Sequence, residues 1–176
     1  MEWYVDLVTR YPIYTAMVQF AVLGTLGDMI ASWVIKKKVF LPFSPVELLL
    51  KFAEWAFLAV LIKYAFVGYK GFVEVLVETG LLPELNSFSR AFAISFTMNL
   101  QFGLLLVLLH RLLDNLIAKK QNWANINKGF WSLIWFWLPA HTVTFMLPKE
   151  FQIGLAAVWS VVLGLILGFF NKKSQE

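Results

Sequence analysis

Charged side chains lie inside apolar stretches, at positions that would place them at one depth of a membrane. Asp28 is the single formal charge between Tyr11 and Ile35, and Lys51 and Glu54 lie in the next apolar stretch. At ~1.5 Å per helical residue, Asp28 and Glu54 are each ~12 Å from the loop that joins the two stretches. Two carboxylates and one ammonium at matched depth predict a buried ionic network. It is either a structural lock between two helices or part of a solute or proton pathway, because charge inside a membrane is usually functional.

A second group of polar side chains is predicted near the middle of the membrane, ~18 to 21 Å from the inner face. It consists of Asn99 and Gln101 in one apolar stretch and His141 in another, with Thr144 close to His141 in sequence. Polar side chains at this depth need hydrogen-bond partners. They form either a clasp between two helices or the wall of a water-filled lumen with His141 as a titratable gate.

Five apolar stretches must position these side chains. They cover residues 11–35, 46–68, 88–113, 129–147 and 151–170. Hydrophobic residues make up 60% of the 176, and the mean hydropathy is +0.70, which a water-soluble domain of this size could not cover with polar surface. The sequence therefore predicts an all-α, polytopic membrane helix bundle that forms one domain over residues 1–176. It has five transmembrane helices, or four if Pro148–Glu150 form a kink or a re-entrant turn.

The positions of the basic residues predict the orientation. With five spans, one side of the membrane receives most of them: Lys36, Lys37, Lys38, Arg111, Lys119, Lys120, Lys128, Lys172 and Lys173. The positive-inside rule then places the C-terminus inside and the N-terminus outside. Because these lysines flank apolar spans in short groups, the net charge of +4 indicates lipid-bilayer orientation and not a nucleic-acid partner.

Small residues predict where the helices approach closely. In the first stretch Gly24 and Gly27 lie beside Asp28, and in the fifth Ser160, Gly164 and Gly168 recur every four residues. Such a ridge permits close contact either within the chain or between two copies in a homo-oligomer. On the opposite side of the first helix, Val18, Phe20, Val22 and Ile30 are expected to face lipid.

Several motifs together resemble the family of the 22-kDa peroxisomal membrane protein and the mitochondrial inner-membrane protein Mpv-seventeen. The opening motif is carried by Trp3, Leu7, Pro12, Gly24, Gly27 and Asp28, and the third-span motif by Asn99, Leu100 and Gln101. The closing motif is carried by Asn122, Trp123, Trp137, Pro139, His141, Thr144, Phe145 and Pro148. The chain departs from the family pattern in having His141 where the family has glutamine. The resemblance implies a small multi-pass protein, some relatives of which act as channels in peroxisomal or mitochondrial inner membranes.

Three functions follow as hypotheses. The leading one is a small channel or facilitator for small polar or charged solutes, in a prokaryotic plasma membrane or in a mitochondrial inner or peroxisomal membrane. The second is a tryptophan-rich ligand-binding or sensory protein in which Trp135, Trp137 and Trp159 line an apolar pocket, and the third is a purely structural membrane protein. We expect no catalytic, cofactor or metal site, because the sequence has no cysteine, no paired-histidine spacing, no nucleophile elbow and no phosphate-binding glycine loop.

Overall fold

The chain folds into helices in the computed structural model, which describes residues 2–124 and 126–173 and gives side-chain surroundings up to residue 166. The α-helices are α1 (Glu2–Arg10), α2 (Pro12–Lys36), α3 (Pro45–Glu78), α4 (Ser87–Met98), α5 (Leu104–Ile117), α6 (Ile126–Ser132), α7 (Leu138–Met146) and α8 (Lys149–Lys173). One π-helical turn (Asn99–Gly103) joins α4 to α5, and a second (Leu133–Trp137) joins α6 to α7. The all-α prediction is confirmed for the described residues.

Three helical segments of the described chain are long and apolar enough to cross a membrane. They are Pro12–Lys36 (α2), Ser87–Ile117 (α4, the first π-turn and α5) and Lys149–Ile166 (in α8), with mean hydropathies of 1.5, 1.9 and 1.4. They correspond to the first, third and fifth predicted stretches, so a membrane-embedded, multi-pass protein is supported. The second predicted stretch lies within α3, which carries more charge. The fourth lies within α6, the second π-helical turn and α7.

The ends of α2 and α3 follow from local capping chemistry. Lys37 adopts a left-handed conformation (φ 54°) and its N–H bonds to the Trp33 carbonyl, which ends α2. Ser44 and Glu47 form a capping box: the Ser44 N–H donates to the Glu47 carboxylate at 2.8 Å, and the Glu47 N–H donates to Ser44 Oγ at 3.3 Å. Pro45 occupies the first helical position, where its missing N–H costs nothing.

The helix α3 is longer than predicted. The predicted stretch ends at residue 68, but α3 continues without a break to Glu78. Gly68 and Gly71 lie inside it. The helix tolerates them because a single glycine weakens a helix by only ~1 kcal/mol. The chain turns at Gly80, whose φ of +73° favours glycine. After the turn, the Asn86 side chain accepts from the Ser89 N–H at 2.9 Å and caps α4.

The second π-helical turn is explained by the proline that follows it. Pro139 has no N–H, and in a regular α-helix its ring would clash with the carbonyl four residues earlier. The wider π-turn removes that regular spacing, and the Leu138 N–H bonds to the Leu133 carbonyl five residues back. No proline follows the first π-turn, where Asn99 and Gln101 lie. Widened turns of this kind are frequent at functional sites.

The chain divides into two compact units. The first comprises Met1–Ala59 with Gly154–Glu176 and includes α1, α2, the beginning of α3 and most of α8. Its core contains Ala16, Phe20 and Ala157, all nearly inaccessible to solvent. The expectation that Phe20 faces lipid is therefore wrong, because this ring is 2% exposed and stacks at 6.3 Å on Trp55 of α3. Val18 and Val22 are exposed, as expected for a lipid-facing surface.

The second unit, Val60–Ile153, is built around the pair α4 and α7. The buried apolar side chains of these two helices include Ala91, Ile94, Met98 and Ala140. Ser95 of α4 is fully buried and donates to the Leu138 carbonyl at the start of α7 at 2.8 Å. This bond links the two helices beside the second π-turn.

Candidate functional site

The first unit contains a buried ionic cluster of Asp28, Lys51 and Glu54. The Lys51 ammonium lies 3.1 Å from Asp28 Oδ2 and 2.9 Å from Glu54 Oε2, between the two carboxylates. Lys51 and Glu54 are one helical turn apart on α3, and Asp28 reaches them from α2. The three groups predicted at matched depth are thus brought together by the structure.

A tryptophan side chain donates a second polar contact to Asp28. Trp55 Nε1 donates to Asp28 Oδ2 at 3.0 Å, so one carboxylate oxygen has both an ammonium and an indole donor. Trp55 follows Lys51 by four residues and therefore lies on the same face of α3. A buried tryptophan N–H normally finds an acceptor, which is the signal in the sequence that could have added Trp55 to the predicted site.

Glycines allow the helices of the first unit to approach closely. A Cβ at Gly24 would overlap the indole ring of Trp55, and a Cβ at Gly27 would lie 2.8 Å from the Ser160 carbonyl oxygen of α8. A Cβ at Gly164 would in turn overlap the Gly27 backbone. The small residues Gly27, Ser160 and Gly164 thus pack α2 against α8 within one chain. Gly168 lies outside the residues whose surroundings are described.

The three members of the ionic cluster differ in their exposure. The side chains of Lys51 and Glu54 are 7% and 1% exposed, whereas that of Asp28 is 25% exposed. Burial of an ion costs several kcal/mol unless partners compensate for it. Asp28 is therefore the member of the cluster that a cation or a polar solute could reach.

The second unit contains a polar cluster around His141. Asn99 Nδ2 lies 2.8 Å from the Ser95 carbonyl oxygen and 3.2 Å from His141 Nδ1, and both Asn99 and His141 are buried. The structure thus brings Asn99 and His141 together, as the sequence predicted. Ser95 was missed, because a serine four residues before Asn99 resembles many serines that bond only within their own helix.

The contacts of Asn99 favour one tautomer of His141. A backbone carbonyl can only accept, so the Asn99 atom that faces the Ser95 carbonyl is the amide nitrogen. The same nitrogen, which has two hydrogens, also faces Ser95 Oγ and His141 Nδ1, each at 3.2 Å. Because an amide nitrogen does not accept, a hydrogen bond between Asn99 and His141 requires Nδ1 to be the acceptor and, in the neutral imidazole, Nε2 to carry the hydrogen.

Aromatic rings surround the His141 imidazole. Trp137, one turn earlier, stacks on it with the ring centroids 4.9 Å apart and the planes 27° apart. Phe66 of α3 meets it edge-on at 5.5 Å, and Phe145, one turn later, lies 6.2 Å away. The ring is fixed on several sides, so its position is set by packing as well as by Asn99.

Gln101 and Thr144 do not take the places predicted for them. Gln101 lies in the first π-turn but is exposed, and the Tyr69 hydroxyl is 3.5 Å from its Oε1. It is thus separate from the buried Asn99 and His141. Thr144 is fully buried and donates to the Ala140 carbonyl of its own helix at 2.8 Å. The predicted tryptophan pocket has its members in different units: Trp159 belongs to the first, and Trp135 and Trp137 to the second.

Two polar pairs in the second unit were not predicted from the sequence. The Lys70 ammonium donates to the Gln152 side chain, and the Arg90 guanidinium pairs with Glu74. Their partners are 82 and 16 positions apart, and nothing in the spacing identifies them. Lys70 also lies 5.6 Å from the Phe145 ring centroid, one of the rings around His141.

Comparison of the sequence and the structure with protein-family models, curated proteins and solved structures finds no match. The resemblance to the family of the 22-kDa peroxisomal membrane protein and Mpv-seventeen therefore stays a prediction, and the function must be argued from the two clusters.

Proposed function

We propose that this protein is a small integral membrane channel or facilitator for small polar or charged solutes. The proposal rests on one observation: Lys51 is held between Asp28 and Glu54 inside apolar helices, at distances of 3.1 and 2.9 Å. Ionised side chains are expensive within a bilayer and generally occur where they face a polar path or serve a function. The proposal includes five spans, with the N-terminus outside and the C-terminus inside, as the basic residues favour.

The exposure of Asp28 favours transport over a purely structural lock. An ion pair that only joins two helices can be closed to the surroundings, whereas the Asp28 carboxylate can be reached and carries a negative charge that attracts cations. Asp28 is a quarter exposed, so it is the group that would meet a passing solute. The path would therefore prefer cationic solutes to anionic ones.

The test is solute efflux from liposomes that contain the full chain and size-graded neutral, cationic and anionic solutes. We expect efflux with a size limit, and we expect Asp28→Asn to reduce the ratio of cation to anion efflux at least about tenfold, the effect of ~1.4 kcal/mol. Asp6→Asn is the matched control, because Asp6 is exposed on α1 and carries the same charge.

Two results would contradict the proposal. Folded protein that releases no solute faster than protein-free liposomes would favour a structural protein in which the cluster joins α2 to α3. Efflux with the same charge preference in wild type and Asp28→Asn would remove Asp28 from the path. Circular dichroism and thermal unfolding of each variant establish that it is folded before efflux is measured.

A further inference from the structure

An open apolar groove lies between α1 and the beginning of α2, away from the ionic cluster. Its volume is about 560 Å³, within the ~300–1,000 Å³ of small-molecule sites. One wall is an exposed strip at helical spacing: Trp3 and Leu7 on α1, then Tyr11, Tyr14 and Val18. These side chains are 42 to 71% exposed, so the strip is open to the surroundings.

Two polar side chains at the groove, Tyr4 and Gln19, are paired with each other. The Tyr4 hydroxyl donates to Gln19 Oε1 at 3.2 Å. Burial raises the pKa of the Tyr4 phenol, an effect that the hydrogen bond to Gln19 partly offsets, so the phenol stays protonated at neutral pH. Gly154 of α8 leaves room for this pair, because a Cβ there would lie 2.9 Å from Gln19 Oε1. The groove is therefore suited to a hydrocarbon ligand.

The position of the groove indicates the source of the hydrocarbon. It lies at the start of α2, one of the helices long and apolar enough to cross a membrane, and its exposed strip continues along α2 to Val22. Trp3, Tyr11 and Tyr14 are residue types that favour the membrane–water boundary. The Arg10 guanidinium lies 5.6 Å from the Tyr11 ring centroid and places a cation beside the groove.

We propose that the groove binds one acyl chain of a membrane phospholipid, with the headgroup phosphate beside Arg10. The apolar wall provides the contact with the chain, and the aromatic residues hold the glycerol region at the boundary. Arg10 supplies the charge complementary to the phosphate. The site is independent of the solute path and of the ionic cluster.

The test is native mass spectrometry of the full chain in detergent, titrated with dioleoyl phosphatidylglycerol. We expect Val18→Trp, which fills the groove, to weaken binding of the first lipid at least tenfold. Val67→Trp is the matched control, because it makes the same change at a similarly exposed position of α3 that does not line the groove. Leu7→Trp, on α1, should act like Val18→Trp. Equal lipid binding in all four proteins would overturn the proposal.

Dioleoylglycerol, which has the same chains and no phosphate, tests the role of Arg10. Wild type should prefer the phospholipid about threefold, and Arg10→Gln should remove that preference, whereas Lys36→Gln at the other end of α2 should keep it. A preference unchanged by Arg10→Gln would refute the phosphate contact. A lipid-free dimer that Val18→Trp dissociates would overturn the proposal and assign the groove to a second copy of the chain.

Discussion

Replacing Lys51 by methionine removes the ammonium from the ionic cluster and keeps a long, apolar side chain in its place. The two carboxylates then lose the cation at 3.1 and 2.9 Å. Asp28 keeps the Trp55 indole as a donor at 3.0 Å. Glu54 is the more affected, since its side chain is 1% exposed.

The expected loss of stability follows from these distances. At ~3 Å and an effective dielectric constant of ~20, each ion pair is worth about 5 kcal/mol of attraction, most of which offsets the cost of burying the ions. Removing one partner of a buried pair leaves that cost uncompensated and typically destabilises by about 3–5 kcal/mol. We expect Lys51→Met to lower the free energy of unfolding by this amount. The double variant Lys51→Met, Glu54→Gln should recover to within about 1 kcal/mol of wild type.

The assay is reversible unfolding in mixed detergent micelles with increasing SDS, followed by circular dichroism. Lys38→Met is the matched control, because Lys38 is exposed beyond the end of α2 and should change the free energy by less than about 0.5 kcal/mol. If Lys51→Met and Lys38→Met have the same stability, Lys51 does not compensate two buried carboxylates and the reasoning is wrong. If the double variant is no more stable than Lys51→Met, the negative charge of Glu54 is not the cause of the loss.

Two further predictions concern packing and the His141 cluster. Gly27→Ala should destabilise by about 1–3 kcal/mol, because its methyl group would lie 2.8 Å from the Ser160 carbonyl oxygen. Gly71→Ala is the control and should be neutral or stabilising, because Gly71 lies in open space on α3. Thermal unfolding of the two variants checks this prediction, and equal melting temperatures would contradict it. Asn99→Leu should destabilise by about 1–3 kcal/mol, because it deprives His141 Nδ1 of its donor, and it should change the imidazole nitrogen resonances in NMR spectra. Unchanged resonances would show that Asn99 does not fix the tautomer.

The sequence was sufficient to predict the all-α fold, the ionic cluster and the contact between Asn99 and His141. The apolar stretches gave the positions of α2 and α8 closely, because a long apolar run can satisfy its backbone in a membrane only as a helix. The depth of Asp28, Lys51 and Glu54 along their helices predicted that they meet, because the rise per residue is constant. Similar reasoning failed for Gln101, because residues two positions apart on a helix do not share a face, so a depth similar to that of Asn99 did not bring Gln101 to His141.

Other contacts between helices could not be predicted from the sequence and were decided by the tertiary structure alone. The small-residue ridge of α8 left open whether its contact lies within the chain or between two chains, and the packing of Gly27 on Ser160 settles it within the chain for the described part. Trp55 and Ser95 joined the clusters because neighbouring helices place an acceptor beside each of them. A single helix determines which side chains share its face and depth. Which other helix meets that face depends on the rotation and spacing of both, which only the packed structure fixes.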